Sequence, residues 1–249
     1  MNGSFINLTK DNIDKEHICC AIADKKHQFG VSAKKEWLKE RLTEGHVFRK
    51  LDARGKVFIE YAPLETAWVP VRGENYLYIY CLWVSGSFKG KGYANALLEY
   101  CIRDAKEKGK SGVCVLSSSK KKPFLSDKKF FSKYGFKTTD TAGKDYELLA
   151  LSFDGTKPSF SESAKTMKID CRDLTIYYSL QCPCIPDCIR QVENYCSRNN
   201  IPLRLSAIDT LEKAKNLPCI FNNWAVFYNG EFYTTHLLNE TFLKKNFSL

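Results

Sequence analysis

Apolar positions along this chain follow two periods, and the switches between them divide it into short strands and helices. FINLT (5–9) predicts a first strand, and NIDKEHICCAIA (12–23) a helix capped by Asn12 or Asp14. Ser32 is placed to cap a second helix, AKKEWLKERLTEG (33–45), closed by Gly45. HVFRKLD and KVFIEYAPL read as two strands joined at residues 53–55, and AWVPV as a further extended piece. YLYIYCLWV (76–84) is dense in aromatic and branched side chains and predicts a buried strand. After a glycine-rich turn, Leu97, Leu98, Cys101, Ile102 and Ala105 recur at helical spacing, predicting a helix over 94–109. GVCVLSS (112–118) is a buried-type strand, DKKFFSKYGF (127–136) a short helix running into a turn, and YELLALSF a closing strand.

Over 154–166 the composition shifts to Gly, Ser, Pro and Lys, which predicts a linker between domains 1–153 and 167–249. The second domain reads strand (174–180), helix (185–200), strand (201–208), short helix (211–218), hairpin turning at Asn229-Gly230, and final helix (239–247). Both domains mix helices and strands, so the fold class is α/β (α+β).

Composition narrows the function classes. The 249 residues are 44% hydrophobic and carry a formal charge of +10, which argues for packed cores. Most of the excess charge lies within 1–156, much of it between Lys89 and Lys133, and it suits either a solvated face or a phosphorylated ligand. No helix-turn-helix or RNP-type aromatic motif supports nucleic acid as the partner. The N-terminal segment lacks the apolar core of a signal peptide, and the 76–84 run is too short to cross a bilayer, so we expect a soluble cytoplasmic protein. The eleven cysteines are then reduced thiols, with Cys19, Cys20, Cys101, Cys114 and Cys196 in apolar patterns expected of core residues.

The chemistry concentrates in the strand–turn–helix YIYCLWV-SGSFKGKGY-ANALL. Glycines free the main-chain N–H groups, and a helix N-terminus adds positive potential, so the turn is an anion cradle with Lys89 and Lys91 beside it. It is neither GxxxxGK[ST] nor GxGxxG, which excludes a P-loop and argues against a dinucleotide site.

LWVSGSFKGKGYANALL resembles the acetyl-CoA signature Q/R-x-x-G-x-G/A of GNAT acetyltransferases, with Lys89 in the Q/R place, Gly92 as the glycine and Ala94 as the last small residue. FFSKYGF resembles the family's later helix and turn, and the element order to Phe153 matches. The resemblance implies a mixed, mostly antiparallel sheet flanked by helices and direct acetyl transfer from acetyl-CoA to a primary amine. It implies diphosphate contacts from Lys89, Gly90, Lys91, Gly92, Tyr93 and Ala94, main-chain pairing of pantetheine with Leu82 and Val84, and Phe131 at the cofactor. For proton transfer it implies a tyrosine where Phe131 stands. That leaves Tyr134 as nearby donor, Ser117 (or Ser118) at a position often occupied by asparagine, and Tyr78 where some members carry a glutamate base. We expect catalysis to rest mainly on positioning and the oxyanion contact, with water helping proton transfer; greatly raised turnover in Phe131→Tyr would mark a missing acid. Tyr78 and Tyr80 are expected on one strand face with Leu82 and Val84, with Cys81 opposite; Glu60, Glu65 and Glu74 are alternative bases, or else surface carboxylates.

The second domain resembles YoaP-like modules and, in element order, a thioredoxin-like fold. It has QCPCIPDC in place of Cys-x-x-Cys. Cys182, Cys184 and Cys188 stand near a helix start, and Cys219 follows Pro218, near where such folds carry a cis-proline. These thiols are structural, reactive, or ligands of a soft metal. The alternative reading of the whole chain is a CoA-binding protein without catalysis, joined to a thiol-reactive or metal-binding module.

Overall fold

The computed structural model describes residues 3–18, 21, 28–122 and 125–247, which form two compact units. The first is residues 1–23, 35–67 and 71–160, the second 24–34, 68–70 and 161–249. Among the described residues, no helix is long and apolar enough to cross a membrane.

The first unit is built on a seven-stranded sheet. Its strands are β1 (Phe5–Asn7), β2 (Val47–Leu51), β3 (Val57–Pro63), β5 (Tyr76–Val84), β6 (Gly112–Ser118), β7 (Lys137–Ala142) and β8 (Tyr146–Ser152), in the order β1-β2-β3-β5-β6-β8-β7. Only β5 and β6 run parallel. A parallel step needs a crossover, and helix α2 (Tyr93–Glu107) supplies it. Leu97, Leu98, Cys101 and Ala105 of α2 are buried against Ile59, Ile79 and Val115 of the sheet, together with Phe131 of α3 (Lys128–Ser132). Helix α1 (Gln28–Leu42) sends Trp37 onto the opposite face, edge-on to Tyr80.

Several sequence expectations change. Residues 10–16 are turns rather than helix, the Asn12 side chain instead accepting the Thr9 N–H at 2.8 Å; residues 19–20 and 22–27, with Cys19 and Cys20, lie outside the described residues. Helix α1 begins at Gln28, so Ser32 lies inside it and donates back to Gln28 O at 3.2 Å instead of capping. Strand β7, KTTDTA, is an edge strand with only its last residue buried, so it carries no apolar run to announce it. AWVPV contributes only β4 (Val71–Arg72), which pairs with β9 (Ser159–Phe160). The segment read as a linker is thus ordered, and continues into α4 (Glu162–Thr166), capped by Ser161.

In the second unit, β10 (Leu174–Tyr178), β11 (Leu203–Ala207), β12 (Trp224–Tyr228) and β13 (Glu231–Thr234) form a sheet in the order β11-β10-β12-β13, with β10 parallel to β11. Helix α5 (Ile185–Arg198) makes the crossover, α6 (Leu211–Lys215) precedes β12, and α7 (Glu240–Phe247) packs with α5 over Ile176, Trp224 and Val226. Asn229 (φ 54°) and Gly230 (φ 80°) make the expected two-residue turn, both at the positive φ it requires. Among the described residues there is no cis peptide bond, so Pro218 does not introduce one.

Candidate functional site

The loop between β5 and α2 is built to leave main-chain N–H groups open. A 3-10 turn, Gly86–Phe88, is followed by Gly90 (φ 74°) and Gly92 (φ 79°), the latter being the N-cap of α2. Left-handed backbone at two alternate positions turns successive N–H groups the same way, and only glycine adopts it without strain. A Cβ added at Gly90 or Gly92 would meet nothing within 4 Å, so the concavity is open. No side chain caps α2, its first turn holds no acid, and Ala96 is the first residue to find a main-chain acceptor, Gly92 O at 3.0 Å. The helix dipole and the exposed Lys89 and Lys91 add to the attraction for an anion. Phe88 fixes the loop's base by lying on Gly55, where a Cβ would come within 2.4 Å of its ring. Tyr93 packs on Phe5, 6.1 Å between centroids.

The preceding strand is half open. β5 pairs with β6 only over Tyr76 to Ile79, while β6 continues beside β8 to Ser118 and bridges Ser126 at Ser117. Among the described residues, Leu82 to Val84 of β5 pair with a strand on the β3 side only. An extended ligand with amide groups can pair there. A β-bulge marks where the opening starts, since Tyr61 faces Ile79 and Glu60 faces Cys81, so Tyr80 is the extra residue. The bulge corrects the expected facing. Leu82 and Val84 join Leu77 and Ile79 on the α2 face, while Tyr78 and Tyr80 pack ring to ring, 5.2 Å apart, on the other.

That other face holds a pair of buried polar groups. Glu60, expected at the surface, is only 3% exposed, and its Oε1 lies 2.9 Å from His46 Nε2. His46 stacks on Tyr80 (5.2 Å, 25°) and meets Trp37 edge-on (5.4 Å). Alternation along KVFIEYAPL was the available signal, since it puts Glu60 on the same face as Phe58.

The three residues expected to handle protons are not brought together, and no hydrogen bond or ring contact joins them. Tyr78 is buried, and burial pushes its phenol well above the ordinary range, which disfavours ionisation near neutrality. The Ser117 hydroxyl donates to Ser126 O at 2.7 Å, holding the segment before α3 to the end of β6. Tyr134 directs its hydroxyl to Glu99 Oε1 at 3.4 Å, in a pocket of about 550 Å³ with Ile102, Arg103 and Lys106. Partial burial, and then Glu99, raise its pKa, so it keeps its proton at neutral pH, as a donor must.

Residues 13–136 match the profile described as acetyltransferase (GNAT) family, and residues 202–245 the one described as YoaP-like. A Bacillus subtilis (strain 168) relative, named Uncharacterized N-acetyltransferase YoaP, is 40% identical over 237 residues, covering 94% of each chain. This chain belongs to the GNAT acetyltransferase family. Solved structures with a likeness to it include PaiA N-acetyltransferase from Thermoplasma acidophilum in complex with coenzyme A, at 16% identity and a TM-score of 0.43, covering 61% of this chain and 100% of that one. Another is a GNAT family acetyltransferase from Elizabethkingia anophelis with acetyl-CoA bound, at 18% identity and a TM-score of 0.40, covering 60% and 97%.

GNAT acetyltransferases use acetyl-CoA as the acyl donor. The open N–H cradle, the neighbouring cations and the half-paired strand fit its diphosphate and its amide-bearing pantetheine arm. Phe131 is less accessible than its expected place beside the cofactor suggests. It is 2% exposed and enclosed by Phe130 and Phe136, with centroids at 5.4 and 5.1 Å. Its side chain belongs to the core, so a tyrosine placed there would have its hydroxyl enclosed. A hydroxyl buried there without a partner should cost about 1–3 kcal/mol. Thermal melts of Phe131→Tyr should show lower stability, with no gain in turnover.

In the YoaP-like region the thiols diverge. Cys184 is the N-cap of α5, and Cys188 donates its S–H to Leu238 O at 3.1 Å. Burial pushes Cys188 up to about 12 and Cys196 up to about 11, and raises the fully buried Cys219 as well. Cys182 is half-buried. Among the described residues, no three of His, Cys, Asp or Glu come together as a metal site. Native alkylation at pH 7.5, read by peptide mass spectrometry, should label Cys182 and leave Cys188, Cys196 and Cys219 untouched until unfolding, since the thiolate is the reacting species.

Proposed function

We propose that the protein is an N-acetyltransferase that moves the acetyl group of acetyl-CoA to a primary amine of a small molecule or peptide by direct transfer. Residues 1–153 perform the transfer, and the module over 167–249 contributes to substrate selection or thiol chemistry. The main-chain amides of Lys89, Gly90, Lys91, Gly92, Tyr93 and Ala94 hold the diphosphate, and the open edge at Leu82 and Val84 takes the pantetheine. That aims the thioester at the bulge, where a main-chain N–H can steady the oxyanion formed as the amine attacks. Holding both substrates in near-attack geometry supplies much of the rate, and Tyr134 is the nearest phenol in the turn before Gly135-Phe136 for the leaving thiolate.

The observation that supports this reading above others is the uncapped start of α2, preceded by two left-handed glycines with free space over them. Titration calorimetry with CoA and acetyl-CoA tests it, followed by thiol release across a panel of primary amines. Micromolar association and amine-dependent release are expected. Absence of association would overturn the reading, and association without release for any amine would favour a binding protein over an enzyme.

A further inference from the structure

The half of β5 beyond the bulge presents two different faces. Leu82 and Val84 turn toward α2 and pack against the core cluster, so that side of the strand is filled. Side chains alternate along a strand, so Cys81 and Trp83 turn the other way. Cys81 is half-buried, and Trp83 is 45% exposed. Among the described residues of the first unit, Trp83 is the one large apolar side chain left exposed. A lone exposed apolar residue needs no reason by itself, but this one has a particular place. It lies in the stretch of β5 that pairs on the β3 side only, and it faces Phe58 across that junction. Phe58 is buried and stacks on Phe48, 4.9 Å between centroids, so the indole stands at the outer edge of an aromatic floor. The carboxylates against this floor are already engaged. Glu60 Oε1 lies 2.9 Å from His46 Nε2, and Glu16 Oε2 accepts from Lys50 Nζ at 2.6 Å. Beyond the bulge, this face therefore offers a ligand flat apolar surface rather than a counter-ion.

We infer that Trp83 selects the acceptor, favouring a short arylalkylamine, an inference that rests on the acetyltransferase reading above. In that reading the thioester is aimed at the bulge, and Leu82 and Val84 close the α2 side of the strand to the acceptor. The amine therefore approaches over Cys81 and Trp83. These side chains are two residues apart on one strand, about 7 Å. That spacing suits a nitrogen at the bulge joined by a short alkyl chain to an aromatic ring over the indole. Stacked there, the ring buries apolar surface and holds the nitrogen where it can attack. A small alkylamine gains no such contact. A polyamine gains little more, because its distal ammonium would meet the indole edge with the nearby carboxylates already paired. Trp83 takes no part in making or breaking bonds. It fixes where the acceptor stands, so it acts on acceptor affinity before it acts on the chemical step.

Thiol release by the full-length protein tests this, with 2-phenylethylamine, ethylamine and spermidine as acceptors. The parent should prefer 2-phenylethylamine to either of the others by about 30-fold in kcat/KM, from ring burial and stacking together. In Trp83→Ala that ratio should collapse to within about threefold of unity, most of the change being a higher KM for 2-phenylethylamine. Trp83→Phe keeps a flat ring and should retain most of the preference. Trp83→Leu, compared with Trp83→Phe, gives a second reading if Trp83→Ala fails to fold. A merely structural role for the indole would lower all three amines alike and leave the ratio in place. That result, or a parent that turns over amines without favouring 2-phenylethylamine, would overturn the assignment of Trp83 while acetyl transfer stands. A parent that neither binds acetyl-CoA nor releases thiol with any amine would overturn the acetyltransferase reading and this inference with it.

Discussion

Replacing Ala94 with glutamate is expected to weaken CoA binding about 150-fold while leaving the fold slightly more stable. Ala94 is the second residue of α2, whose first turn holds no acid. A carboxylate in the first turn normally favours a helix, contributing about 0.3–1 kcal/mol by complementing the dipole. Here it would stand where the diphosphate is expected. At about 6 Å and an effective dielectric near 20, one negative charge against another costs about 3 kcal/mol, which is the 150-fold loss. The two readouts therefore move in opposite directions, with Kd by calorimetry rising and Tm holding or increasing. A parallel fall in Tm, or an unchanged Kd, would argue that this helix end does not face the ligand.

The largest stability loss is expected at the base of the parallel step. A Cβ at Gly112 would sit 2.3 Å from Leu151 O and 2.5 Å from the Tyr76 ring. The first of these is main chain in the neighbouring strand, so no side chain can turn away to relieve the clash. Gly112 is also where β6 starts beside Tyr76, the first residue of β5. Gly112→Val should therefore push β5, β6 and β8 apart, at a cost of about 3 kcal/mol. That should lower the first thermal transition by roughly 6–12 °C. Calorimetric melts of the variant and the parent check it, and a change under 2 °C would mean that the strands yield easily.

The relation between sequence and structure differs from one element to the next. Strand β5 and helix α2 are legible because each carries a strong local signal, a branched and aromatic run in one and a 3.6-residue apolar stripe in the other. The Asn229-Gly230 hairpin is legible because that dipeptide matches the turn's positive φ at both positions. β7 is not, because an edge strand with a single buried residue lacks the pattern that burial imposes. The ordered stretch over 159–166 was masked by a composition typical of linkers, although Phe160 and Ala164 are buried.

By itself the sequence determined the glycine-rich turn between β5 and α2, since glycine spacing and an apolar helix start are local properties that need no distant partner. The tertiary structure alone decided which side chains share a face beyond Tyr80. One inserted residue in β5 reverses the alternation, and only pairing with β3 reveals it. It also decided the fate of the carboxylates and phenols, because burial is set by neighbours far along the chain. Glu60 came inside beside His46, 14 residues away, and Tyr78 was sealed into the sheet, where burial raises its pKa.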